Sequence, residues 1–458
     1  MQQHNDPTLI RKYNVPGPRY TSYPTVPYWD KEGISQSQWI STFQRAFAES
    51  NDTEGISLYI HLPFCESLCT FCGCHKHITK RHEVEQPYID AVLKEWQLYL
   101  DLLPSRPRIK ELHLGGGTPT FFSSTELSRL IKGIFAGAEL CKDPELSFEG
   151  HPNYTSYEQL ETLYHLGFTR CSFGVQDYDP LVQKTIHRIQ PFEAVKQVTE
   201  WARAIGYTSI SHDLVFGLPK QSAATVANTI QKTAELMPDR ISYYSYAHVP
   251  WIKGVGQRGY DENDLPKDEE KRALYELGKA LFFEKGYVEI GMDHFALPSD
   301  SLYQSMQNKT LHRNFMGYSS GKTQLMIGLG MSAISDSWYS FAQNIKSVDA
   351  YQKAVNVGIL PIFRGHLLTA EDLIIRQHIL NIMCHFETDW SAPSLQAPIL
   401  NDLNNNLQEM IADGLVNLGQ QSLQVTERGT AFVRNICMQL DTRLKAAKPI
   451  ENTFSKTV

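Results

Sequence analysis

SLYIHLPFCESLCTFCGC (57–74) is the stretch on which the reading of this 458-residue chain turns. Its first half reads as a buried strand, a short run rich in β-branched and aromatic residues. Its second half holds four of the chain's eight cysteines, Cys65, Cys69, Cys72 and Cys74. The other four, Cys141, Cys171, Cys384 and Cys437, are scattered and form no disulfide framework. The expected compartment is therefore a reducing cytoplasm, where clustered cysteines mean metal or catalysis. Cys65, Cys69 and Cys72 form CxxxCxxC, and Cys74 follows as CxC. Structural zinc usually takes two well-separated CxxC pairs, and no second pair exists here. Glu66, Thr70 and Gly73 make the segment too polar for plain core. An iron–sulfur cluster is the expected occupant, and zinc the alternative. A four-iron cluster usually takes four thiolates. Three would leave one iron open to a chelating ligand.

Working outward from that strand, the pattern alternates. Strands are expected at 56–62, 111–114, 146–150, 170–175, 209–216 and 241–247. Helices are expected near 88–99, 124–135, 156–166, 192–205, 223–236 and 267–285. A further strand is expected at YVEIGMD (287–293). Six strand–helix units predict a parallel sheet with helical crossovers. Polar or glycine-rich residues follow every one of the six strands: the cysteines, GGGTPT (115–120), Glu149, Gln176, GLPKQ (217–221) and His248. That distribution suits a barrel with its site at the C-terminal rim. An open doubly wound sheet would gather such residues at its switch point.

Three segments are expected: an arm at 1–50, the barrel with an extension at 51–365, and a mostly helical domain at 366–458. The arm contains PGPRYTSYPT (16–25), too rich in proline for a helix, and is expected to lie across the barrel mouth. In the last segment Thr369 and Asp372 nearly form a capping box. DGLVNLGQQSLQVTERG (413–429) reads as a hairpin, so helix, hairpin and helix resemble a winged helix. That segment carries seven Lys/Arg against ten Asp/Glu, and the whole chain has a net charge of −7. Nucleic-acid and anionic-membrane binding are therefore not expected. No signal peptide or transmembrane helix is expected either.

CxxxCxxC after the first strand of a βα barrel resembles the radical S-adenosylmethionine (SAM) superfamily. The resemblance implies a partial (β/α)6 barrel and a [4Fe–4S] cluster held by Cys65, Cys69 and Cys72. SAM chelates the open iron and is split to a 5′-deoxyadenosyl radical. Further motifs are KYNVPGPRYTSYPT, HLGGGTPT, SFGVQD, HDLVFGLPKQ, YAHVP, GMDHFA and LHRNFMGY. With the CxC extension, these resemble the oxygen-independent coproporphyrinogen III oxidases. That family decarboxylates two propionates of coproporphyrinogen III to vinyls, giving protoporphyrinogen IX in haem biosynthesis, and binds two SAM molecules. Carried over by motif, SAM contacts are expected from Tyr59, Phe71, Gly116, Gly117, Thr118, Glu149, Gln176, Arg188, Asp213, Ala247 and Ile334. Phe315 and Ile334 are expected near the second SAM. A low-potential donor of flavodoxin or ferredoxin type and a monomeric chain are further expectations.

Each residue also has a plainer reading. The glycine run could be only a tight turn, and Glu149 a solvated carboxylate. Asp213 within apolar HDLVFGLP needs a partner, either the SAM ribose or Arg188. Cys74 reads as a non-ligand beside cluster or substrate, or as a small buried residue. Arg19 and Arg313 are candidates to pair the substrate's carboxylates, or are surface arginines. HRNFMGY (312–318) and GLGMSAIS (328–335) read as glycine-rich loops over a flat ligand, or as core. His151 stands where better-known members carry an acid. Competing functions are a haem chaperone, another porphyrin-directed radical SAM enzyme, or a redox sensor with a DNA-reading domain.

Overall fold

The computed structural model describes residues 7–250, 256–447 and 454–457. The chain divides into two compact units. The larger is Glu32–Tyr287 with Thr323–Leu367; the smaller is Met1–Lys31, Val288–Lys322 and Leu368–Val458.

The larger unit is built on six strands: β1 (Ile56–Leu62), β2 (Arg108–Gly116), β3 (Glu139–Gly150), β4 (Arg170–Gln176), β5 (Ser209–Phe216) and β6 (Arg240–Ser245). They are parallel, and each lies beside its successor in sequence. A doubly wound sheet would reverse this order midway. Helices α1 (Glu85–Leu100), α2 (Ser124–Ala136), α3 (Tyr157–His165), α4 (Phe192–Ile205), α5 (Ala223–Leu236) and α6 (Asp268–Glu284) make the crossovers. Ser123, Ser156 and Ser222 cap α2, α3 and α5 by accepting from backbone N–H groups of the first turn. The expected six units and the barrel-type order are both present.

Strand alternation places the site. Leu112, Leu114, Phe148 and Phe173 belong to the large buried core with α1, α2 and α3. Successive side chains point to opposite faces. His113, Ser147, Glu149 and Ser172 therefore face the other way. Register carries the same layer across the wall: Tyr59 lies beside His113, His113 beside Ser147, Glu149 beside Ser172, and Gly174 beside Asp213.

Four short strands extend the sheet from the outer flank of β1. β7 (Met326–Leu329) runs parallel to β1, and β8 (Ile334–Asp336), β9 (Ser340–Asn344) and β10 (Ile362–Leu367) follow antiparallel. This corrects the reading of GLGMSAIS as a loop: it ends β7, turns, and opens β8. A Cβ on Gly328 would lie 2.5 Å from the Ile334 carbonyl oxygen. The glycine is there so that the two chains can approach.

In the smaller unit, Leu9, Tyr13, Tyr20 and Tyr23 share a buried core with Ile375, Ile379, Leu403 and Ile436. PGPRYTSYPT is non-helical, as its prolines require. Helix α7 (Ala370–His385) begins with the full reciprocal box between Thr369 and Asp372. The expected hairpin is Val416–Leu418 with Ser422–Val425, joined by Glu387–Asp389 as a third strand. HRNFMGY is a tight hairpin, His312–Asn314 with Gly317–Ser319, rather than a loop. YVEIGMD contributes Val288–Gly291, antiparallel to His294–Ala296. Among the described residues, no helix is long and apolar enough to cross a membrane.

Candidate active site

The cysteine loop leaves β1 through Pro63 and is closed at its base by a parallel pairing of Phe64–Cys65 with His77–Ile78. Its middle is fixed by its backbone. Thr70 donates its N–H to Ile186 O at 2.9 Å and its hydroxyl to Thr185 O. The carbonyl of Thr70 accepts from the Tyr260 hydroxyl at 2.8 Å, and that of Phe71 from Gln257 Nε2 at 3.3 Å. Gln257 Nε2 also donates to the Ala247 carbonyl at 2.7 Å. The segment after β6 thus clasps the loop. Phe71 packs against the cluster of Val182, Ile186, Val215 and Tyr246.

A cavity of about 290 Å³ opens above the strand ends of the larger unit. Cys65, Cys69, Cys72, Cys74 and Phe71 line one side. Gly116, Gly117 and Thr118 after β2, Glu149 from β3, Gln176 from β4, Arg188, and Asp213 from β5 complete it. Thus twelve of the sequence-predicted residues share one wall. Tyr59, Ala247 and Ile334 are not on that wall. Tyr59 sits behind it, stacked on His113 with its hydroxyl 3.1 Å from His61 Nδ1. The Ala247 carbonyl accepts from Gln257 Nε2, and Ile334 opens β8. Arg19, Arg313 and Phe315 belong to the smaller unit.

All four loop cysteines are free thiols. Cys65 Sγ lies 3.4 Å from Thr118 Oγ1, and Arg188 Nη1 points at Cys69 Sγ from 3.5 Å. Burial pushes the Cys65 thiol up to about 11. A hydrogen bond from Cys74, with the charge of Lys76, holds Cys72 below the usual thiol range. Cys74 is therefore turned toward its neighbour. Among the described residues, no three His, Cys, Asp or Glu are gathered so as to hold a single ion. A four-iron cube takes its thiolates at separate corners, so three thiols spread along one wall fit it without converging on a point.

Glu149 closes β3 and is half-exposed to the cavity. Burial raises its carboxyl, but hydrogen bonds from His113 Nε2 (3.4 Å) and the Gly116 N–H (3.3 Å) outweigh this, so it lies below the usual carboxylate range. It is an anion facing the cavity. Ser147 sits 2.8 Å from His113 Nδ1 and orients the ring. Asp213 is the opposite case: burial pushes it up to about 6, the Ser172 hydroxyl at 2.6 Å opposes this, and the Glu149 charge adds to it. The partner of Asp213 is therefore Ser172 and not Arg188. Arg188 is spent on the Gly174 carbonyl at 2.6 Å and on Gln190. Gln176 holds a left-handed φ of 67° at the strand end, a strained conformation of the kind found at binding sites.

The glycine run answers to packing first. A Cβ on Gly116 (φ +117°) would lie 2.8 Å from His61, and one on Gly117 would lie 2.4 Å from the Pro63 carbonyl oxygen. The loops after β1 and β2 touch backbone to backbone, and both edge the cavity. His151 is buried beside Arg188, and desolvation holds its imidazole neutral, near 2. Sequence reading missed His61, His113, Gln257 and Tyr260. Only the matching strand ends HLP (61–63) and HLG (113–115) could have pointed to the histidines.

In the smaller unit Arg19 is ion-paired with Asp293. Arg313 is 3% exposed, lies over the Tyr318 ring at 4.5 Å, and donates Nη2 to the Arg19 carbonyl. Its Nε and Nη1 have no partner among the described residues.

The class follows from comparison as well as from geometry: residues 59–233 match the Radical SAM superfamily. The oxygen-independent coproporphyrinogen III oxidase of Escherichia coli K12 is 37% identical over 99% of this chain and 98% of that protein. The enzyme of the same name from Synechocystis is also 37% identical, over 98% and 97%. The solved Escherichia coli coproporphyrinogen III oxidase, a radical SAM enzyme, superposes with a TM-score of 0.88 at 36% identity, covering 96% of this chain and all of that one. The chain belongs to the family of oxygen-independent coproporphyrinogen III oxidases.

Proposed function

We propose that this chain oxidatively decarboxylates two propionates of coproporphyrinogen III without oxygen, giving protoporphyrinogen IX. The observation that carries this is one wall bearing three free thiols of a single loop, a glycine turn, an ionised Glu149 and a protonatable Asp213. Full-length identity to enzymes of that name supplies the substrate class. Cys65, Cys69 and Cys72 would hold a [4Fe–4S] cluster, which with SAM would supply a 5′-deoxyadenosyl radical able to take a hydrogen atom from a propionate β-carbon. The substrate radical would then release CO₂ and pass one electron to an external one-electron acceptor, leaving a vinyl group.

The chain's own residues position and shield. Glu149, ionised, binds the cofactor's ammonium or ribose hydroxyls, with Gly116, Gly117 and Thr118 alongside. Arg188 puts positive charge beside Cys69. Gln176 and Asp213 offer hydrogen bonds across the cavity. Cys74 stands beside the ligands as a non-ligand. Two SAM molecules are bound, the second near Phe315. Arg313 is the stronger of the two carboxylate candidates. A buried guanidinium with unpartnered N–H groups is costly until an anion meets it. Arg19 is already neutralised by Asp293, so its part is to hold the Arg313 neighbourhood. A flavodoxin- or ferredoxin-like donor and a cytoplasmic monomer complete the reading.

The test is anaerobic reconstitution with iron and sulfide. The reduced cluster's EPR signal should change on adding SAM, and coproporphyrinogen III should yield protoporphyrinogen IX and methionine. Zinc in the loop, a spectrum indifferent to SAM, or tight haem binding without turnover would overturn it.

A further inference from the structure

The chain carries a net charge of −7, yet the residues leaving the cysteine loop read HKHITKRH (75–82). They include Lys76, Lys80 and Arg81, of which Arg81 pairs with Glu83 at 3.6 Å. A second segment of the larger unit, 345–367, carries Lys346, Lys353 and Arg364 against Asp349 alone. The two segments adjoin. His75 Nδ1 lies 2.6 Å from Ser332 Oγ, Gln343 Nε2 donates to the Ser332 carbonyl at 3.1 Å, and Arg364 Nε donates to Gln343 Oε1 at 2.8 Å. Lys94 on α1 reaches the Asn356 carbonyl at 2.8 Å, and Tyr88 packs on Tyr351. Burial, then the charges of Lys346, His61, Arg364 and Lys76, holds the His75 imidazole down at about 4. The basic groups therefore form one field rather than two.

That face is also unusually apolar. Twelve large apolar side chains are exposed among the described residues, and five of them, Ile78, Val357, Ile359, Phe363 and Leu367, lie in these two segments. Phe363 and Leu367 stand on β10, the end strand of the larger unit's sheet. Exposed edge strands with apolar residues are sites where other chains attach. Apolar anchors ringed by one sign of charge mark an interface with a partner of the opposite sign.

We propose that residues 75–82 and 346–367 form the docking face for an acidic one-electron carrier protein. This rests on the reading that Cys65, Cys69 and Cys72 hold a redox cluster. Electron transfer falls steeply with separation, so a donor must seat close to the cysteine loop, and this face begins at the residue after Cys74. In each event the carrier is oxidised by one electron and the cluster is reduced by one. The lysines steer an anionic partner in, and the apolar side chains hold it.

The experiment uses cluster-loaded enzyme, reduced flavodoxin as the protein donor and dithionite as a small donor. In the Lys80→Glu/Lys346→Glu/Lys353→Glu variant, the rate of cluster reduction by flavodoxin, followed by EPR, should fall at least tenfold. The dissociation constant for oxidised flavodoxin should rise by a similar factor. Raising salt should weaken both in the unaltered enzyme. Dithionite-driven reduction, decarboxylation and the KM for coproporphyrinogen III should not change. Unchanged reduction by flavodoxin overturns the proposal. So does an equal loss with both donors, or a raised KM, since these would assign the lysines to the substrate. Dimer dissociation in the variant also overturns it. An unaltered enzyme that dithionite cannot activate instead breaks the underlying reading, and the two failures are thus distinguishable.

Discussion

The loops after β1 and β2 face each other across one cavity and are opposites in kind. The glycine loop is completed by the protein: Gly116 and Gly117 abut His61 and the Pro63 carbonyl, and their conformations follow from that contact. The cysteine loop has its middle held through main-chain atoms of Thr70 and Phe71, by Ile186, Gln257 and Tyr260, while its thiols line the cavity. One loop lines the cavity with backbone that is packed tightly from behind. The other is a ligand site resting on scaffold. A residue type that is rare in a turn says less about its role than the atoms that occupy its surroundings.

That contrast can be tested by breaking each side. Cys72→Ala should abolish turnover and lower bound iron, while the melting temperature of the iron-free protein stays within about 2 °C. A large loss of stability there would erase the distinction. Behind both loops, Glu95 is wholly buried and accepts from the Gly330 N–H, Asn344 and Tyr351. Burial raises it from 4.5 to about 7. A carboxyl raised on folding contributes stability below its unfolded value and loses it as pH climbs to its folded one. Stability should therefore fall by about 3 kcal/mol between pH 4.5 and 7 from this group. Glu95→Gln should flatten the melting-temperature profile across that window, and an unchanged profile would remove Glu95 as the cause.

Gly117→Ala should cost about 2 kcal/mol, because its Cβ meets backbone that cannot swing aside. Thermal unfolding checks this. The smallest effect is expected where the loops touch. Thr118→Val removes a weak thiol–hydroxyl contact, and stability by thermal unfolding should change by less than about 0.5 kcal/mol.

The sequence made much of this legible. CxxxCxxC has a spacing that ordinary folding needs do not produce, and six buried strands with capped helices repeat too regularly to be missed. The rest was hidden for physical reasons. The strands β7–β10 are three to six residues long, too short for periodicity to show beside turns. Ser172 could not be paired with Asp213 without register, because every serine in a strand looks alike. Gln257 and Tyr260 act on backbone carbonyls, which every residue has, so no spacing announces them. The smaller unit is assembled from three stretches of chain and the larger from two, and composition carries no mark of that.

The grip of Gln257 and Tyr260 has a consequence for redesign. Because they hold Phe71 and Thr70 by main-chain oxygens, the side chain at position 71 can be exchanged without unseating the sulfurs on either side of it. An engineer seeking a different cofactor analogue has a single tunable wall there, on a frame that stays put.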